Sequence, residues 1–250
     1  MAINRKSREE IKLMKYAGSV VALVHQAMQK EVKSGVSTKY LDEIAEKIIR
    51  ENKCIPTFKG YNSFPASICA SINANVVHGI PSDDEILKEG DVISIDVGAT
   101  YRGLVGDSAW TYPVGKISGE DKMLLAMTEK SLFAGIEKMR DGNILDDVSK
   151  AVEDVAKENN LGIVRQYGGH GVGRSMHEEP FVFNYQVGNK LVLKPGMTIA
   201  LEPMFNLGCD DVVLQSDNWT VTTKDNKNSA HFEHTVHITD GEPEILTLLL

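Results

Sequence analysis

The chain has 250 residues, 42% of them apolar and 25% charged, the balance of a globular protein with a sizeable core. A formal net charge of −8 offers no basic field to nucleic acid, so DNA binding is not expected. Cys54, Cys69 and Cys209 are odd in number and lack CxxC spacing, which argues against a disulfide framework and for a reducing, cytoplasmic setting. The start MAINRKSREE is too polar for a secretory signal, and the closing ILTLLL is far too short to cross a bilayer.

In chain order, helical periodicity runs over residues 8–32 and again over 35–52, where Leu41, Ile44, Ala45, Ile48 and Ile49 make an apolar stripe. A β-rich run follows in KEGDVISID, residues 88–96, entered through a glycine turn and ending on Asp96. ATYRG then reads as a hairpin connection to LVGDSAWTY, which carries Asp107. A turn centred between Tyr101 and Arg102 places Asp96 directly opposite Asp107.

The pattern then repeats. Helical periodicity returns over 120–140 and over 142–159, where Val148, Ala151, Val152, Val155 and Ala156 match the earlier stripe at an offset of 107 residues. KPGMTIALE, 194–202, matches KEGDVISID at an offset of 106 and ends on Glu202. The shared offset predicts one domain of two related α+β halves, about 1–115 and 116–250, with a site where the two strand ends meet on a pseudo-twofold axis. Within the second repeat, between its helix and its strand, lies GGHGVGRSMHEEP, 168–180, where glycine density around His170 signals a backbone that must pass where a side chain would block it. Near the end, alternation in SAHFEHTVHIT sets Glu233 on the face of His231, Thr235 and His237.

Asp96, Asp107, Glu202 and Glu233 all stand in apolar strand contexts, where carboxylates are rare unless paired. Facing acids raise one another's pKa unless a cation intervenes. HEEPF at His177 is not HExxH, no phosphate loop follows the glycines, and GxGxxG is not met. Four carboxylates and one histidine suit two divalent ions, typically ~3.5–4 Å apart with a shared water.

In this order VVHGIP, ISIDVG, GDSAWTY, GGHGVGRSMHEEP, MTIALEPMF and AHFEHTV resemble the methionine aminopeptidases, specifically the short bacterial type I form, over nearly the whole chain. The resemblance implies an α+β pita-bread (creatinase/aminopeptidase) fold with antiparallel sheet and covering helices in two pseudo-twofold halves. It implies two divalent ions (Co, Mn, Fe or Zn), with Asp96 on the first, Asp107 and Glu233 bridging, and His170 and Glu202 on the second. It further implies attack of a metal-bridged hydroxide on the carbonyl after Met, with Glu202 relaying the proton, His177 stabilising the oxyanion and His78 contacting the scissile amide. Tyr61, Phe64, Cys69 and Trp219, with Met176 alongside, match the methionine pocket. Phe58 and His231 depart from the pattern, standing where many bacterial relatives carry cysteine and glutamine. The implied substrates are N-termini of nascent polypeptides with a small second residue, met at the ribosome by a cytoplasmic monomer. The chain's own Met1-Ala2 is such a start and is expected to be trimmed.

Three rivals differ in substrate. A proline-specific peptidase shares the fold and the five ligands but usually carries a further N-terminal domain. A non-catalytic binding module would have lost ligands. A dinuclear phosphoesterase would be richer in histidine. Cleavage of Met-Ala-Ser against an X-Pro dipeptide and a phosphate ester separates them.

Overall fold

The computed structural model describes residues 3–250, so Met1 and Ala2 lie outside the described residues. Four helices carry the stripes read above: α1 (Arg8–Glu31), α2 (Thr38–Glu51), α3 (Gly119–Lys138) and α4 (Leu145–Glu158). Their starts are chemically marked. Ser7 and Glu10 form a reciprocal capping box before α1, Ser37 accepts from Tyr40 N, and Ser118 accepts from Asp121 N, which satisfies backbone donors that a helix leaves free. Leu41, Ala45 and Ile49 of α2 are fully buried, as are Val148, Val152 and Ala156 of α4.

Each strand pairing among the described residues is antiparallel. One sheet has the long strand Val92–Tyr101 at its centre, joined to Ile55–Pro56, Ile68–Ile72 and Leu104–Pro113. A five-stranded sheet runs in the order Glu244–Ile245, His234–His237, Thr198–Leu201, Gly169–Gly171, Glu178–Val182. Two three-stranded sheets complete the molecule. One main apolar core lies around α3, α4 and the five-stranded sheet, and a second around α1, α2 and the Val92–Tyr101 sheet.

The repeat extends to the hydrogen bonds. Gly35 N donates to Leu87 O and Gly142 N to Leu193 O, while Gly90 N donates to Val114 O and Gly196 N to Ile238 O. Gly90 and Gly196 take nearly the same conformation, with φ of 94° and 91°.

The hairpin register differs from the sequence expectation by two residues. Gly98 faces Asp107, and Asp96 faces Ala109. The turn is Arg102-Gly103, with φ of 48° and 80°, a two-residue turn whose positive φ values match the twist of the strands and suit glycine at its second position. An even slip keeps both carboxylates on one face, so they meet as diagonal neighbours. The second difference lies at residues 229–237. They do not form one alternating strand: Ser229–His231 joins one sheet and His234–His237 another.

Candidate metal centre

The strand Leu104–Pro113 carries Asp107, and residues 231–235 are stitched onto it by polar bonds. Thr111 Oγ1 accepts from His231 N at 2.9 Å, Ala109 O accepts from Glu233 N at 2.8 Å, and Thr235 Oγ1 accepts from Asp107 N at 3.1 Å. The break at residues 232–233 therefore turns Glu233 toward Asp107. In the five-stranded sheet His170 faces Ala200, and Glu202 lies two residues further along the same strand direction, which sets it diagonal to His170.

His170 Nε2 is 3.4 Å from Glu202 Oε1 and 3.7 Å from Asp107 Oδ2. Ligand atoms of Asp107, His170 and Glu233 all lie within 4.8 Å of one another. The tautomer of His170 follows from its other nitrogen. Nδ1 is 2.9 Å from Gly171 O, and only an N–H can face a carbonyl, so Nε2 presents a lone pair to the acids.

The glycines around His170 serve close approach. A Cβ on Gly171 would meet the Glu179 carbonyl carbon at 2.7 Å, in the neighbouring strand. Without a side chain there, the strands bearing His170 and Glu178 can sit together.

A cavity of about 220 Å³ gathers each residue named from sequence: Asp96, Asp107, His170, Glu202 and Glu233 with His78, His177, Tyr61, Phe64, Cys69, Met176 and Trp219, and also Phe58 and His231. Trp219 meets Phe64 edge-on at 5.0 Å and His78 at 6.1 Å. His177 Nδ1 is 2.8 Å from the Tyr61 hydroxyl, and its ring centroid is 4.3 Å from that of His170. Sequence reasoning missed Asn62 and Val77, which share the cavity wall, and Tyr167, which packs edge-on against His78 at 5.7 Å. Val77 is adjacent to His78 on the strand Asn75–Val77, a signal available from the motif; Tyr167 carried none.

The electrostatics define what the cavity lacks. No Lys or Arg lines it among the described residues. Burial pushes the carboxyls of Asp96, Asp107, Glu202 and Glu233 above their usual range, and their mutual charge adds to the shift at Asp96, Glu202 and Glu233. Burial likewise lowers His170 and His231 to about 3 and His78 to about 4, and holds His177 below its usual value. Asp96 Oδ1, Asp107 Oδ1, Glu233 Oε1 and His231 Nε2 are buried without a hydrogen-bond partner, where each such group is costly. Oxygen-rich, unpartnered and converging, this donor set fits divalent cations. His231 Nε2 stands 3.7 Å from Glu202 Oε2 and 3.9 Å from Glu233 Oε2.

Antiparallel sheets, two helix pairs on a repeated plan and a buried carboxylate–histidine cluster define a metal-dependent hydrolase, and the chain belongs to metallopeptidase family M24, whose model matches residues 12–240. Several relatives of high identity are methionine aminopeptidases. The chain is 49% identical to methionine aminopeptidase 1 of Bacillus subtilis over 97% of its own length and 98% of that protein. It superimposes on the crystal structure of methionine aminopeptidase from Thermotoga maritima with a TM-score of 0.97 at 40% identity, covering 99% of this chain and 100% of the other. The prolidase of Pyrococcus horikoshii shares the fold alone, at 22% identity and a TM-score of 0.78, with this chain spanning 63% of it. The fold is thus the family's pita-bread fold, as the sequence motifs implied.

Proposed function

We propose that this chain removes the N-terminal methionine from polypeptides whose second residue is small, using two divalent ions drawn from Co, Mn, Fe or Zn. The observation that supports it most is the union, in one cavity, of the unpartnered acidic cluster with a sulfur- and aromatic-lined recess. A methionine side chain is unbranched and polarizable and favours aromatic edges. Phe64, Trp219 and Tyr61 supply those edges, with Cys69 and Met176 as soft neighbours.

Asp96 would hold the first ion, Asp107 and Glu233 both, and His170 and Glu202 the second. When bound, such ions lower the pKa of a water and polarise the carbonyl to be attacked. Glu202 would take up a proton from that water and return it to the leaving amine. His177, whose pKa is lowered by its partial desolvation, donates best through Nε2–H when the Tyr61 hydroxyl donates to its Nδ1, and that N–H would stabilise the developing oxyanion. His78, lowered to about 4 by burial, would contact the scissile amide. A small second residue is required because bulk there displaces the carbonyl, and a slight misplacement can cost ~10²-fold in rate. We place the enzyme in the cytoplasm, as a monomer and one catalytic domain acting on chains that leave the ribosome.

The test is kcat/KM on Met-Ala-Ser, Met-Leu-Ser, Leu-Ala-Ser, formyl-Met-Ala-Ser and an X-Pro dipeptide. Rapid cleavage of the first alone is expected. Equal rates for Met-Ala-Ser and Met-Leu-Ser would defeat the size argument, and preference for X-Pro would replace the assignment by a proline-specific peptidase.

A further inference from the structure

The catalytic cavity opens into a trough of about 490 Å³, which shares His78, His170, His177 and Glu202 with it and is walled by Gln166 and Tyr167 on one side and Phe181 on the other. Phe181 begins a row of aromatic rings. Its centroid lies 4.7 Å from that of Phe183, which lies 5.3 Å from that of Tyr185, and the Arg165 guanidinium covers Tyr185 at 4.6 Å. The alternate residues Val182 and Asn184 are buried, so Phe181 and Phe183 face outward, while Tyr185 also packs against the core around α3 and α4. Phe181 is 39% exposed, and neither it nor Phe183 packs into any of the hydrophobic cores. The strand that bears Phe181, Glu178–Val182, ends its sheet, and nothing among the described residues pairs with its outer edge.

Two large aromatic side chains outside the core, at the mouth of a substrate cavity, gain nothing for folding from their exposed faces. Their place is set by what leaves the cavity. An aminopeptidase encloses the first residue and the scissile bond, and the remaining chain must exit over this trough. Two ring-to-ring steps of 4.7 and 5.3 Å correspond to about three extended residues at ~3.3–3.6 Å each.

We propose that Phe181 and Phe183, with the Tyr185 ring at the far end of the row, form a track that binds residues three to five of the peptide substrate and favours apolar or aromatic side chains there. The inference rests on the aminopeptidase reading given above and adds a preference beyond the second residue. Glu179, exposed on the same wall, turns acidic side chains away from the track.

The experiment compares Met-Ala-Phe-Leu-Phe-Lys with Met-Ala-Gly-Gly-Gly-Lys, and both with the tripeptide Met-Ala-Gly. The apolar hexapeptide should have the higher kcat/KM by roughly 3- to 10-fold, chiefly through KM, given the usual worth of an aromatic contact. The variant Phe181→Ala/Phe183→Ala should treat both hexapeptides alike and cleave Met-Ala-Gly at the wild-type rate. Equal kcat/KM for the two hexapeptides in the wild type, or an advantage that survives the double substitution, would overturn the track. If the double substitution also slows the tripeptide, Phe183→Ala alone, set back from the catalytic cavity, decides by the same ratio. Failure of the wild type to cleave Met-Ala-Gly would instead remove the aminopeptidase reading itself.

Discussion

Asp107 shows how one residue sets a pH dependence. Burial lifts its carboxyl to about 7, against an ordinary value of 3.8, and a ligating carboxylate must be ionised. A cation that binds while the site's acids hold protons must displace them, so affinity should rise with pH through about 7 and go on rising above it, because Asp96, Glu202 and Glu233 are raised as well. Calorimetric titration with Mn at pH 6 and 8 should show tighter binding at pH 8 and proton release at pH 6; tighter binding at pH 6 would contradict the burial argument. His231 invites a second measurement. Its unpartnered Nε2 stands 3.7 Å from Glu202 and 3.9 Å from Glu233, close enough that a small shift would let an N–H there steady a metal-holding carboxylate. Replacement by leucine should weaken metal binding ~10- to 100-fold, whereas His231→Gln, which keeps an N–H donor, should bind nearly as the wild type does. Equal affinity in all three would assign His231 to packing alone. The acids themselves were legible in the sequence because buried carboxylates in apolar strands are rare. Their exact pairing was not, because one turn residue more or less moves the register without altering the local pattern.

At the scale of the element, Gly171 governs how His170 is held. A methyl group there would press on the Glu179 backbone and force the strand Glu178–Val182 away from Gly169–Gly171. Gly171→Ala should therefore lower stability by ~1–3 kcal/mol, the usual cost of overpacking, and lower the metal content at equal added metal. Thermal unfolding with metal analysis checks both, and an unchanged Tm would show that the strands can part freely. Glycine density foretold this crowding from the sequence. The break at residues 232–233 was invisible because residues 229–236 are all buried, so both faces read as apolar context and a period-2 pattern carries no mark of where the chain changes sheets.

For the whole molecule, the internal repeat was legible because glycine turns and helix stripes recur at one offset, and the hydrogen bonds of Gly35, Gly90, Gly142 and Gly196 follow it. The tie that crosses the molecule was not, since it joins Arg5 and Lys6, which precede the first repeat, to residues 172 and 190 positions further along the chain. Arg5 Nε donates to Pro195 O and Lys6 N to Gly196 O, each at 2.6 Å. Lys6 Nζ pairs with Glu178 Oε2 at 2.6 Å, with the two side chains only 4% and 8% exposed. Glu178 Oε1 also accepts from Arg174 N and Ser175 N, so the segment before α1 braces the loop that carries Met176 and His177. Although burial works against it, the bonds from Lys6 and those two amides hold the Glu178 carboxyl below its ordinary value of 4.5. A carboxyl lowered in this way stabilises the fold above its ordinary value and loses that contribution as pH falls through the lowered one. Lys6→Met leaves the carboxylate buried without its cation, a change that costs about 3–5 kcal/mol in comparable pairs. The variant should melt well below the wild type at pH 7, and the gap should narrow as pH falls through 4.5, because a proton neutralises the carboxylate stranded in the variant and, at lower pH still, ends the ion pair in the wild type. Adding Glu178→Gln to Lys6→Met should recover part of the loss at pH 7, because the amide oxygen still accepts from Arg174 and Ser175 without a charge to bury. A Tm gap that is the same at both pH values would locate the role of Lys6 in the packing of its stem over Gly173 and not in its charge.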